Sequence, residues 1–145
     1  MTVNVIVHSR QDLAESQYND DNLESFPNDY FICINASGFV HKVPHFKKLH
    51  DRVLNCYFDD VEQDYLKHDE EFNIDFHAKA CTYDQAVQIK KFIDTVPEGA
   101  TLHVSCTKGK SRSPAIAKFI NETKNKICVE VENYNKHVYK LLCQI

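Results

Sequence analysis

The stretch TLHVSCTKGKSRSPAIAKFINET, running from Thr101 to Thr123, decides how the rest of the chain is read. Thr101 to Ser105 reads as a short strand, with Leu102 and Val104 as its apolar residues. From Pro114 to Thr123 the apolar residues Ile116, Ala117 and Ile120 recur at helical spacing. Between the two lies CTKGKSR, Cys106 to Arg112, which leaves room only for a tight loop. Strand, loop and helix in this order put Cys106 at a strand end and the amides after it at a helix N-terminus.

Working outward, Val3 to Val7, Tyr30 to Asn35 and Val53 to Phe58 read as further strands, and Gln11 to Ser16 as a helical turn. Thr82 and Gln85 have the spacing of a capping box, and Ala86, Ile89, Phe92 and Ile93 follow at helical intervals. A helix is therefore expected from Tyr83 to Thr95, closed by Pro97-Glu98-Gly99. Asn133 to Leu142 reads as a terminal helix, with Val138, Leu141 and Leu142 on one face. The polar, acidic segment from Val61 to about Ala80 reads as a long loop with at most a short helix. Strands alternating with helices predict an α/β domain over residues 1–145, with a central, mainly parallel sheet of about four to five strands flanked by helices.

The composition fits one globular domain: 43% of the 145 residues are hydrophobic and 26% are charged. MTVNVIVHSRQDLAE lacks the basic start and long apolar core of a secretion signal, and no segment is apolar for long enough to span a bilayer. The six cysteines have neither Cys-x-x-Cys nor paired spacing, so reduced thiols in a cytoplasmic compartment are expected, with no structural metal. Cys33, Cys56 and Cys81 read as core residues, and the eight histidines form no ligand pattern. The net charge of -4 hides an asymmetry: Asp59 to Asp75 holds eight acidic residues and one lysine, whereas Cys106 to Lys126 holds six basic residues and one glutamate. An anion is the natural guest of the second segment.

The loop has the parts needed to bind a phosphate group and attack it. Amides from Thr107, Lys108, Gly109, Lys110, Ser111 and Arg112 can curl around the anion, reinforced by the helix N-terminus. Gly109 allows the backbone to turn where a side chain would obstruct it. Arg112 can grip two oxygens with its planar fork, and the same cations lower a cysteine pKa from about 8.5 into roughly the 3.5 to 7.5 range. Ser113 can donate to the Cys106 sulfur when it departs. Composition alone places Cys, Gly, Arg and Ser at these spacings on the order of 2 times in 10,000 such chains.

On those residues, His103 to Ala115 resembles the signature loop of the protein tyrosine and dual-specificity phosphatases, Cys-x5-Arg-Ser/Thr. VLNCYFDDV, CTYDQAVQIKKFI and YNKHVYKLL follow the order and spacing of small bacterial and phage-type members, so the resemblance spans about residues 30 to 142. It implies the fold of those phosphatases and hydrolysis through a phosphocysteine formed on Cys106, with no cofactor. It also implies a carboxyl general acid in the Asp-Asp after the third strand: Asp60, with Asp59 as its substitute. Asp64, Asp69 and Asp75 are competitors within the same acidic stretch. One departure stands out, because Ser105 occupies the place before the nucleophile where the family commonly has His.

The substrate expected from the resemblance is a phosphorylated protein or peptide, carrying phosphotyrosine or also phosphoserine and phosphothreonine, acted on by a monomer. Two other readings stay open. Lys108 and Lys110 suit polyanions such as a phosphoinositide, an inositol phosphate or the 5'-triphosphate of RNA. A non-catalytic phosphate-binding module would keep the loop and lack the acid.

Overall fold

The computed structural model describes residues 2–38 and 43–145. It is an α/β structure whose elements run β1 (Asn4–Ser9), α1 (Arg10–Ala14), a 3-10 turn at Leu23–Ser25, β2 (Asp29–Asn35), β3 (Val53–Tyr57), β4 (Tyr65–Asp69), β5 (Ile74–Ala78), α2 (Tyr83–Thr95), β6 (Thr101–Cys106), α3 (Arg112–Thr123) and α4 (Lys136–Gln144). Four strands form one parallel sheet in the order β1-β6-β2-β3. With every strand parallel, all four carboxyl ends open on the same edge, where the connecting loops gather.

The central strands are buried on both faces and sort their side chains by alternation. In β2, Ile32 and Ile34 join the large core formed with α2, α3 and α4, while Phe31 and Cys33 join a smaller core with Leu13, Leu23 and Phe46. In β6, Leu102, Val104 and Cys106 face the large core. His103 lies on the other face, stacked 4.6 Å from Phe31, and its Nε2–H donates to Asp29 at 2.7 Å while Nδ1 meets His8 Nε2 at 2.8 Å. This buried imidazole is thus fully partnered.

The helices start where side chains satisfy their free amides. Thr82 and Gln85 form the expected reciprocal capping box of α2, and Asn135 caps α4 by accepting from the Val138 amide at 3.0 Å. α2 falls where the sequence places it and the strands do so to within one or two residues, whereas α3 begins two residues earlier than expected, at Arg112, and α4 three residues later, at Lys136. Among the described residues no helix is long and apolar enough to cross a membrane.

One expectation is corrected. Val61 to Ala80 is not a loop but carries an antiparallel hairpin, β4 with β5, in which Lys67 faces Phe76 and His68 faces Asp75. Its strands are only five residues each, and half of their residues are polar or charged, so the hydrophobic signal is weak. What marks it is the alternation of Ile74, Phe76 and Ala78, together with Asn73 at φ 51° in the turn, a conformation asparagine tolerates. The hairpin is tied down at its base: Asp64 accepts from the Ala80 amide at 2.7 Å, and the Asp59 carboxylate accepts from the Lys79 amide at 2.7 Å and the Ser37 amide at 3.0 Å.

Leu102 is fully buried in the central strand. Leu102→Ala is expected to destabilise the domain by about 2 to 5 kcal/mol, through lost transfer energy and a residual cavity, read as a lower urea midpoint at unchanged slope.

Candidate active site

The four loops that leave the sheet enclose a cleft of about 600 Å³. Arg10 after β1, Ala36 and Gly38 after β2, Asp59 and Asp60 after β3 and the loop after β6 all line it, and the hairpin supplies a wall with Lys67, Asp69 and Phe76. Cys106 sits at the head of the β6 loop, 3% exposed, with the first turn of α3 beside it.

The loop takes its shape from two constraints at Gly109. Its φ is +68°, and a Cβ there would lie 2.8 Å from the Ser9 amide nitrogen and 3.0 Å from the His8 carbonyl. Any side chain would therefore be strained by its backbone and would collide with the end of β1. The Arg10 amide completes the junction by donating to the Thr107 carbonyl at 3.2 Å.

The charge on the sulfur is set by a contest. Burial pushes the Cys106 thiol up, yet its pKa is lowered overall by the Ser113 hydroxyl and amide, the Arg112 guanidinium and the Ser111 amide. Ser113 is completely buried, its Oγ 3.1 Å and its amide nitrogen 3.5 Å from Sγ. The other buried cysteines go the opposite way. Burial drives Cys33 up to about 11, even with a hydrogen bond from Ser105 and the charge of Arg10 nearby, and Cys56 and Cys81 up to about 12. A thiolate is favoured at Cys106 and disfavoured at its three buried neighbours.

Arg112 is 6% exposed and held from two sides, Nη1 donating to the Phe58 carbonyl at 2.7 Å and Nη2 to Thr107 Oγ1 at 3.0 Å. Its Nε is buried with no acceptor among the described residues. An unpaired buried donor on a charged group carries a penalty on the order of 1 to 3 kcal/mol, which an anion oxygen would relieve. Ser111 precedes α3 yet does not cap it; its hydroxyl donates to Asp60 Oδ1 at 2.7 Å. The first amides of α3 are thereby left to the loop.

The neighbouring aspartates have different surroundings. Asp59 is structural, both of its oxygens taken by Ser37 and Lys79. Asp60 faces the loop after β6, and Oδ1 receives both Ser111 and Asn135 Nδ2, the latter at 3.0 Å. Both of these bonds fall on Oδ1, and Oδ2 takes part in neither. Asp64 braces the hairpin base, Asp69 accepts from the Phe72 amide in the turn, and Asp75 pairs with His68 on the outer side.

Every expected site residue therefore lies in one place: Cys106, Thr107, Lys108, Lys110, Ser111, Arg112 and Asp60 line the cleft, and Ser113 and Gly109 shape it from behind. Ser105 lies off the cleft, buried beside Cys33 on the face of the sheet opposite Cys106. Sequence reasoning missed Asn135, which touches both halves of the site: its amide donates to the Ser111 carbonyl at 3.0 Å and its side chain to Asp60. The signal was an asparagine at the head of the terminal helix, which indicates a cap but not a contact 75 positions away. Arg10, Lys67 and Phe76 were missed as well, because only the folded topology brings them to the cleft.

No family model, no curated protein and no solved structure matches the chain.

Alkylation of Cys106 by iodoacetamide should show a midpoint pH below that of a free cysteine. Ser113→Ala removes a donor that stabilises the charged form, so the midpoint should rise; an unchanged midpoint would show that the hydroxyl does not tune the sulfur.

Proposed function

We propose that this protein is a cysteine-based phosphatase of the protein tyrosine and dual-specificity kind, hydrolysing phosphotyrosine esters and, where they reach the cysteine, phosphoserine and phosphothreonine esters. The observation that carries the reading is the convergence at Cys106: a buried sulfur stabilised as thiolate, beside an arginine whose buried Nε lacks an acceptor, with a carboxyl group held at the rim. A binding module needs the cradle and the arginine but has no use for an activated thiol.

The chemistry runs in two displacements. The Arg112 fork and the loop amides hold the nonbridging oxygens, so that the Cys106 thiolate attacks phosphorus opposite the ester oxygen. As the sulfur–phosphorus bond forms, the bond to the ester oxygen breaks, and that oxygen takes a proton from Asp60 Oδ2 and leaves as an alcohol or phenol. Ser111 and Asn135 keep Oδ1 occupied, which fixes the carboxyl plane toward the leaving group. Asp60, now a carboxylate, takes a proton from water as the water attacks the phosphocysteine, and inorganic phosphate departs. Ser113 donates to the sulfur as negative charge returns to it. Arg112 stabilises charge building on the oxygens in both steps.

Wild-type protein is expected to hydrolyse p-nitrophenyl phosphate, with inhibition by orthovanadate and no effect of chelators, since the covalent route runs through Cys106. Cys106→Ser should abolish turnover. Asp60→Asn should lower kcat by about 10²- to 10⁴-fold, with the larger losses on esters of poor leaving groups. Asn135→Ala should show the same dependence on leaving group in milder form. Absence of wild-type hydrolysis across about pH 4 to 9 would defeat the reading.

A further inference from the structure

The hairpin presents a cation and an aromatic ring side by side to the cleft. Lys67 on β4 and Phe76 on β5 are direct cross-strand partners, and both line it. The Phe76 ring leans on the loop after β2, 3.7 Å from where a Cβ at Gly38 would stand. With strand alternation, Lys67 and Phe76 share a face while His68 and Asp75 share the other.

The charges of the cleft do not balance internally. Lys67, Lys108 and Lys110 all line it, and none of their ammonium groups forms an ion pair or hydrogen bond among the described residues. The carboxylates nearby are engaged otherwise: Asp59 with backbone and Ser37, Asp60 with Ser111 and Asn135, Asp69 with the turn amide of Phe72. Arg112 and the loop amides are sufficient for one phosphate group. Clustered ammonium groups repel one another and gain most when the ligand brings a further negative charge.

We propose that Lys67 and Phe76 are a substrate-selecting pair: Phe76 packs against the ring of a phosphotyrosine seated at Cys106, and Lys67 holds an anionic side chain next to it in an acidic peptide. This rests on the phosphatase reading and names its substrate class. The ring beside the cation favours an aryl ester over an inositol phosphate, which offers no flat apolar face. A long polyanion such as RNA fits poorly, since it needs a track of cations. Here Asp59, Asp60 and Asp69 share the lining with the basic residues, which leaves room for one or two extra charges.

The test measures kcat/KM on phosphotyrosine peptides of equal length, with neutral, glutamate or phosphoserine flanks, beside a phosphoserine-only peptide, p-nitrophenyl phosphate and an RNA 5'-triphosphate. Wild type should prefer the anionic flanks by roughly 5-fold or more, a preference that fades with rising salt. The glutamate and phosphoserine arms tell which anion is preferred. Lys67→Ala should erase the ratio, Lys67→Glu should invert it and Lys67→Arg should keep it. Phe76→Ala should narrow the advantage of phosphotyrosine over phosphoserine. Each ratio is taken within one variant, so partial unfolding cancels. A wild-type ratio near one, an unchanged ratio in Lys67→Glu, or faster turnover of RNA 5'-triphosphate than of any peptide overturns the pair and leaves the phosphatase reading standing. Failure to hydrolyse even p-nitrophenyl phosphate overturns both.

Discussion

A thiol that must ionise inside a protein meets opposing demands, and the contacts between Cys106 and the first turn of α3 resolve them. Burial opposes the charge, while Ser113 supplies a hydroxyl and an amide and Arg112 supplies a full positive charge. Those donors exist only because α3 starts where it does, with its early amides turned to the loop and its preceding serine bonded elsewhere. The same helix cannot be moved away, since Ala115, Ile116, Phe119 and Ile120 on its inner face belong to the main core. Packing energy spread over the domain thus holds a local arrangement that the isolated loop would not keep.

The parallel sheet carries that arrangement outward. Because β1 pairs with β6, Ser9 stands opposite Cys106, and the chain leaving β1 supports the back of the loop after β6 at Gly109. Because β3 lies on the far side of β2, its exit delivers the Phe58 carbonyl to Arg112 and the Asp60 carboxyl to Ser111. Cys106 and Arg112 come from the one loop after β6 and Asp60 from the exit of β3, and the shared polarity of the strands brings them to one edge. A single antiparallel strand at β1 or β3 would send its following loop to the opposite edge.

Local patterns made much of this legible. β2 announces itself by a short apolar run, β6 by Leu102 and Val104 leading into the loop, α2 by its capping box and spacing, and the loop by the joint placement of Cys106, Gly109, Arg112 and Ser113. The sequence favours Asp60 over Asp59 only through the resemblance, and the fold adds what surrounds each: amides of the hairpin base for Asp59, the loop after β6 for Asp60. Asn135 was hidden because its cap role is local and its bond to Asp60 is not. The hairpin was hidden by composition, since charged residues on a two-stranded element dilute the alternation that marks buried strands.

The hairpin is also the part of the cleft with the least core beneath it, and its rigidity has to come from its base. Asp59 joins the exits of β2, β3 and β5 by accepting from Ser37 and Lys79, and Asp64 fastens the chain entering β4 to Ala80. These bonds close the hairpin at both ends and tie the wall that carries Lys67 and Phe76 to the exits of the parallel sheet. Asp59 therefore reaches the chemistry indirectly. By anchoring the hairpin immediately before Asp60, one carboxylate sets the position of the cleft wall and the direction in which the next carboxylate leaves the strand.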